Sequence, residues 1–208
     1  MERPMEEANG DVIAVVLAAG RARRFGSDKR LIHLEGGCTL LNRTLSVVIP
    51  NFSTTYVVLK ETDDPQVLLF PAYLRQVKII RAPHADGGLG SSIADAFCIL
   101  KTDHGMAAAI FLGDMPWLLP ATCRKLITCA AAEKIIRPHY TGQLGHPVIF
   151  GRDFWAELQQ VKGENGAREL FQRYAKSCLW VEVDDPGVTL DIDYPVDIKN
   201  NEYLVSNR

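Results

Sequence analysis

Asp11-Val-Ile-Ala-Val-Val-Leu17 runs directly into Ala18-Ala-Gly-Arg-Ala-Arg-Arg-Phe-Gly-Ser-Asp-Lys29. The first part is too short and too uniformly apolar for an exposed amphipathic helix, so it reads as a buried strand. The second part is a loop of small and cationic residues. Working outward, Thr55–Leu59, Val77–Ile80 and Ala107–Leu112 have the same buried-strand character, and Leu179–Val183 is strand-like. Helix-period segments fit between them. Thr39 can cap a helix whose Leu41, Leu45 and Val48 share one face, Ser92 can cap Ile93–Leu100, and Pro120 suits the first turn of a helix reaching about Ala132. This alternation predicts an α/β fold, a mostly parallel sheet with helices on both faces.

The 208 residues, 47% of them hydrophobic, suffice for one large core. The expected organisation is a polar tail at 1–10, one domain at 11–200 and a short tail at 201–208. A formal net charge of −2 gives no global field for nucleic acid or anionic lipid, so any phosphate site must be local. No apolar run approaches the roughly 18 residues that span a bilayer. Five cysteines without a CxxC pair suggest neither a disulfide framework nor a zinc site, and the chain reads as cytoplasmic.

Ligands of open parallel sheets lie outside the carboxyl ends of the strands. The loop after the first strand fits a phosphate there: Ala18, Ala19 and Gly20 allow close backbone approach, while Arg24 and Lys29 can neutralise a triphosphate. It is not a P-loop, since no Gly-Lys-Ser/Thr follows, and Gly20 to Gly26 does not give the dinucleotide glycine spacing. After the Ala107–Leu112 run, Asp114 either shapes the turn before Pro116 or supplies a carboxylate to a hard cation such as Mg²⁺. Near the other end, Asp191 and Asp193 precede Tyr194-Pro195, where a helix is expected to start. The two are expected on opposite faces of an extended segment, so that only one faces a metal easily; Asp193 is the expected ligand, and its alternative is an N-cap.

Taken in order, these segments resemble one family. Leu17-Ala-Ala-Gly20 with Arg24, Gly26 and Lys29 is similar to the LAAGxSxRMGxxK signature of MobA-like nucleotidyltransferases, specifically of molybdenum cofactor cytidylyltransferases. Gly88-Leu-Gly-Ser-Ser-Ile93, Gly113-Asp-Met-Pro116, Gly145-His-Pro-Val-Ile-Phe150, Gly163-Glu-Asn-Gly-Ala-Arg168 and Asp191-Ile-Asp-Tyr-Pro-Val-Asp197 resemble its later motifs. Ala22, Phe25, Met115 and Tyr194 depart from the usual residues, yet no charged catalytic group is lost.

The resemblance implies a Rossmann-like fold of the nucleotide-diphospho-sugar transferase type and transfer of CMP from CTP to the phosphate of molybdopterin, with release of pyrophosphate. It implies that Leu17, Ala18, Ala19 and Gly20 line the nucleotide, that Arg24 and Lys29 hold phosphates, and that Asp114 and Asp193 hold Mg²⁺. Guanylyltransferase relatives typically read LAGG, and the Ala19 methyl leaves room for a pyrimidine while crowding a purine. Gly90, Ser91 and Ser92 either bind the nucleotide or only begin a helix. His146 contacts the acceptor or orients its loop, and Arg168 reaches an acceptor phosphate or pairs with a nearby carboxylate. A molybdenum hydroxylase is the implied recipient of the product. Trp117 and Trp155 read as packing residues. Two other functions share these residues: transfer to a sugar or polyol phosphate, and non-catalytic carriage of molybdenum cofactor.

Overall fold

Eight strands form one sheet in the computed structural model, which describes residues 11–20, 28–164, 166–194 and 196–198. Arg24 and the tails expected at 1–10 and 201–208 lie outside the described residues. The strands are β1 (Val12–Leu17), β2 (Thr55–Lys60), β3 (Val77–Ala82), β4 (Ala107–Leu112), β5 (Ile135–Tyr140), β6 (Gln143–Leu144), β7 (Val148–Gly151) and β8 (Cys178–Glu182). Their order is β3-β2-β1-β4-β7-β5-β6, with β8 on β5. The pairs β1–β2, β1–β4, β2–β3 and β5–β8 are parallel, and β4–β7, β5–β6 and β5–β7 antiparallel.

The four anticipated apolar strands form the parallel part, with β1 between β2 and β4. Every β1 residue is buried, because helices cover both sheet faces. Ala14 and Val16 join one core with Leu41, Leu45, Val48 and Phe111; Val15 and Leu17 join the other with Ile93, Phe97 and Trp155. The period-two alternation of side chains thus sends neighbouring residues into opposite cores.

Leu40–Val48 begins after Thr39 as expected, although the Thr39 hydroxyl accepts from Asn42 Nδ2 at 2.5 Å rather than capping a backbone amide. Two helix boundaries differ from expectation. The helix expected from Ser92 starts at Leu89, placing Ser92 inside its first turn, because Gly88 at φ +100° makes the entry that side chains rarely can. The helix from Pro120 ends at Ile127, where the chain turns so that the Ala132 carbonyl can accept from Asp153 N at 3.1 Å.

The antiparallel part was not evident as strands. Ile135-Ile-Arg-Pro-His-Tyr140 carries a mid-strand proline, ordinarily a sign against a central strand. Pro138 is tolerated because its partner is interrupted. His139 pairs with Leu144 while Ile136 pairs with Ile149, so two extra residues intervene around Gly145-His146-Pro147, whose His146–Pro147 peptide is cis. No helix among the described residues is long and apolar enough to cross a membrane.

Candidate active site

Pairing of Leu17 with Leu112 brings the carboxyl ends of β1 and β4 to one level, so the loops that follow leave side by side. Gly113 N donates to Leu17 O at 3.0 Å, and a Cβ on Gly113 would stand 3.1 Å from that oxygen. Because β2 lies on one side of β1 and β4 on the other, their crossovers diverge and leave a crevice. A cleft of about 770 Å³ occupies it, lined by Leu17 at the end of β1, by Ala18, Ala19 and Gly20 from the loop that follows, and by Asp114 from the other loop.

Lys29 begins a short 3₁₀ turn, Lys29–Leu31, fixed by Asp28 accepting from Arg30 N at 3.1 Å. From there its ammonium reaches Asp114 Oδ2 at 2.5 Å and the Ile192 carbonyl at 2.9 Å, and lies 3.7 Å from Asp193 Oδ1. Ile192 is fully buried against Leu34, Leu40 and Trp117, and its N–H donates to Asp114 O at 3.3 Å. That anchor carries the C-terminal acidic segment to the cleft. Contrary to the expectation of opposite faces, the segment brings both aspartates: Asp191 lines the cleft with Asp193, since residues two apart in an extended chain share a face. Although Asp191 is exposed overall, desolvation of its carboxyl and the charges of Asp114 and Asp193 raise its pKa. Past Asp193 a helical turn covers 196–198, and Asp193 N and Tyr194 N donate to Asp197 Oδ2 at 2.9 and 2.7 Å.

The donor set fits a hard divalent cation that also binds phosphate. Two carboxylates and one backbone carbonyl converge on the Lys29 ammonium, and Asp114 Oδ1 is buried with no hydrogen-bond partner among the described residues. No group of three or more His, Cys, Asp or Glu suited to a metal occurs among the described residues. Two carboxylates and a carbonyl fit a divalent cation that completes its shell with water and substrate phosphates.

Arg30 was not anticipated from the sequence. Its guanidinium forks onto Asp63 at 2.5 and 2.8 Å, contacts Asp28 at 2.7 Å, and donates to Ala18 O at 2.8 Å. Burial alone would lower its pKa, but hydrogen bonds to Asp63 and Asp28 more than offset this and raise it. Arg30 therefore stays charged and ties the loop after β1 to the loop after β2. Two anticipated residues lie elsewhere: Ser92 lines the cleft, whereas Gly90 and Ser91 do not. Gly90 N donates to Gly163 O at 2.8 Å, and a Cβ there would come within 2.7 Å of the Lys162 carbonyl carbon. Its small size serves that close approach.

A second cavity of about 580 Å³ shares Leu17, Leu89 and Leu112 with the first. Both His146 and Arg168 line it, joined by Arg137, Phe171 and Trp180, which the sequence did not single out. Arg137 Nε donates to Gly145 O at 3.0 Å, and its guanidinium lies 5.2 Å from the Phe171 ring centre. Desolvation and then the Arg168 charge lower the Arg137 pKa. Neither arginine forms an ion pair with the described residues, so positive charge faces an otherwise largely apolar pocket. Enclosure by protein, then Arg137, pushes His146 down to about 4, so it is neutral at pH 7. Trp117 and Trp155 are buried packing residues, as expected.

The chain is similar to known proteins over most of its length. "Purine catabolism protein PucB" of Bacillus subtilis is 26% identical over 194 residues, covering 88% of this chain and 92% of that protein. "Probable molybdenum cofactor guanylyltransferase" of Chloroflexus aggregans is 33% identical over 183 residues, covering 85% and 80%. The crystal structure of the Rv0371c homologue from Mycobacterium sp. strain JC1 superposes with a TM-score of 0.80 at 28% identity, covering 94% of this chain and 97% of that one. Residues 14–178 match the MobA-like NTP transferase domain, a span that holds both cavities' walls except the last acidic segment and Trp180. With the β1 loop, Lys29 and Asp114 all inside that match, the chain belongs to the MobA-like NTP transferase family and is a nucleotidyltransferase.

Proposed function

We propose that the protein transfers CMP from CTP to the phosphate of molybdopterin-type molybdenum cofactor, releasing pyrophosphate, in the cytoplasm and with Mg²⁺. The observation that carries this reading is the meeting of Lys29, Asp114 and Asp193 in a cleft that adjoins an arginine-bearing pocket. The resemblance to cytidylyltransferase motifs and the relative named for molybdenum cofactor support the acceptor.

In this mechanism an acceptor phosphate oxygen attacks the α-phosphorus, and the bond to the β-phosphate oxygen breaks in line. Lys29, with Arg24, stabilises the charge that moves to the leaving pyrophosphate. Asp114 and Asp193 would hold the metal, which would supply Lewis-acid stabilisation of developing negative charge. Ala18, Ala19 and Gly20 position the nucleotide, the Ala19 methyl favouring a pyrimidine. Arg137 and Arg168 hold the acceptor's negative charge, while neutral His146 and the exposed Trp180 flank it. Proximity and preorganised charge suffice, so no covalent enzyme intermediate is required. The product would serve a molybdenum hydroxylase.

The test is pyrophosphate release from each of the four common ribonucleoside triphosphates with Mg²⁺ and molybdenum cofactor. CTP should be turned over fastest. Equal turnover of GTP would remove the base assignment, and release with a sugar phosphate but not with molybdenum cofactor would replace the acceptor.

A further inference from the structure

An ammonium group has three N–H donors and no acceptor. Lys29 directs two of them at Asp114 Oδ2, 2.5 Å away, and the Ile192 carbonyl, 2.9 Å away, with Asp193 Oδ1 at 3.7 Å. All three partners are oxygens, the ligand type a hard divalent cation takes. The carboxylates assigned to the metal therefore already face the lysine assigned to the triphosphate, Asp114 in a hydrogen-bonded ion pair and Asp193 at longer range. A dication and the ammonium cannot both sit against Asp114 Oδ2 without strong mutual repulsion in this partly buried cleft.

We propose that Lys29 has a second role, resting on the function proposed above: its ammonium competes with the divalent cation for Asp114 and Asp193, and a bound triphosphate relieves the competition by drawing Lys29 away. Metal and nucleotide binding are then coupled, each strengthening the other by the same factor. The same side chain weakens metal binding in the free protein and strengthens phosphate binding in the complex. Asp114 Oδ1, buried and without a partner among the described residues, gives the cation a second oxygen once Lys29 has moved.

The experiment counts free Mn²⁺ by electron paramagnetic resonance in titrations of the full chain, without and with the non-transferable analogue α,β-methylene-CTP. The variants are Lys29→Gln, Lys29→Arg and Asp114→Asn, each checked for an unchanged melting temperature. Without nucleotide, Lys29→Gln should bind Mn²⁺ at least about tenfold more tightly than wild type, the effect of removing a like charge from beside a charged site. Lys29→Arg keeps the positive charge and should bind as weakly as wild type. The analogue should raise wild-type affinity for Mn²⁺ by a larger factor than it raises that of Lys29→Gln. Lys29→Gln binding Mn²⁺ no more tightly than wild type would overturn the competition while leaving the metal site in place. Mn²⁺ affinity unchanged by Asp114→Asn with the analogue present would overturn both the competition and the metal assignment beneath it.

Discussion

Lys29 Nζ lies 2.5 Å from Asp114 Oδ2, although 85 positions separate the two residues. Parallel pairing of β1 with β4 makes that contact possible, since it ends both strands at the same height. Ile192, buried against Leu34, Leu40 and Trp117, completes it by delivering a carbonyl and two flanking carboxylates.

Replacing Lys29 by Ala should lower turnover by on the order of 10² to 10³, the loss seen when a preorganised charge-stabilising group is removed. Thermal melting should show the fold retained, because the side chain borders a cleft rather than filling a core. Steady-state kinetics measure the effect, and an unchanged rate would reject the assigned role. Asp114→Ala should abolish Mg²⁺-dependent turnover, and retained activity would mean another carboxylate holds the metal.

Arg137→Ala should raise KM for the acceptor by about ten- to a hundredfold, the worth of one charge-assisted contact of roughly 1.5–3 kcal/mol. The KM for CTP should change little, since Arg137 lines the second cavity and not the first. Parallel changes in both constants would place the arginine in a shared structural role.

The Ala19 methyl sits almost wholly buried at the base of the loop that lines the first cleft. Ala19→Gly should narrow the preference for CTP over GTP, read from the ratio of their kcat/KM values. An unchanged ratio would show that the base is chosen elsewhere.

His146 ties pH to stability. Its folded pKa, about 4, lies below the unfolded value near 6.5, so the unfolded chain takes up the proton first as pH falls. The contribution is fully present above pH 6.5 and is lost progressively toward pH 4. Between pH 6.5 and 5 this should cost about 1 kcal/mol, somewhat less than full burial would give because the ring edge lines an open pocket. Denaturant melts of wild type and His146→Asn at both pH values measure it; the variant should lack this part of the pH dependence.

Asp185 is a structural carboxylate that composition could not reveal. It is buried and accepts from Leu119 N at 2.8 Å, Thr122 Oγ1 at 2.7 Å and Gly187 N at 2.9 Å, holding the start of the Pro120–Ile127 helix against the turn before Val188. Asp185→Ala should destabilise by roughly 3 kcal/mol, since buried donors lose their acceptor. For a chain of this size that corresponds to about 6 to 12 °C in melting temperature, measurable by calorimetry.

Much of this was legible in the sequence where residues act locally. The uniform apolar runs marked β1 to β4, and the strand-end positions of Asp114 and the Gly20 loop followed from them. Strand β5 escaped because Arg137, Pro138 and His139 break any apolar period, and only the interrupted partner strand makes them tolerable. Arg30 and Arg137 were equally hidden. Arg30 meets Asp63, and Arg137 comes to face Arg168, only through folding, and no local spacing announces such contacts. Ser92 looked like a cap because serine favours that position, but Gly88 could adopt the entry conformation four residues earlier.

Transfer itself is tested most directly by following the α-phosphorus. CTP labelled there should be incubated with Mg²⁺ and molybdenum cofactor, and the products separated. The account predicts label in a cytosine dinucleotide form of the cofactor, with one pyrophosphate formed per label transferred and neither product in Asp114→Asn. Label remaining in CTP, or appearing only as free CMP, would contradict it.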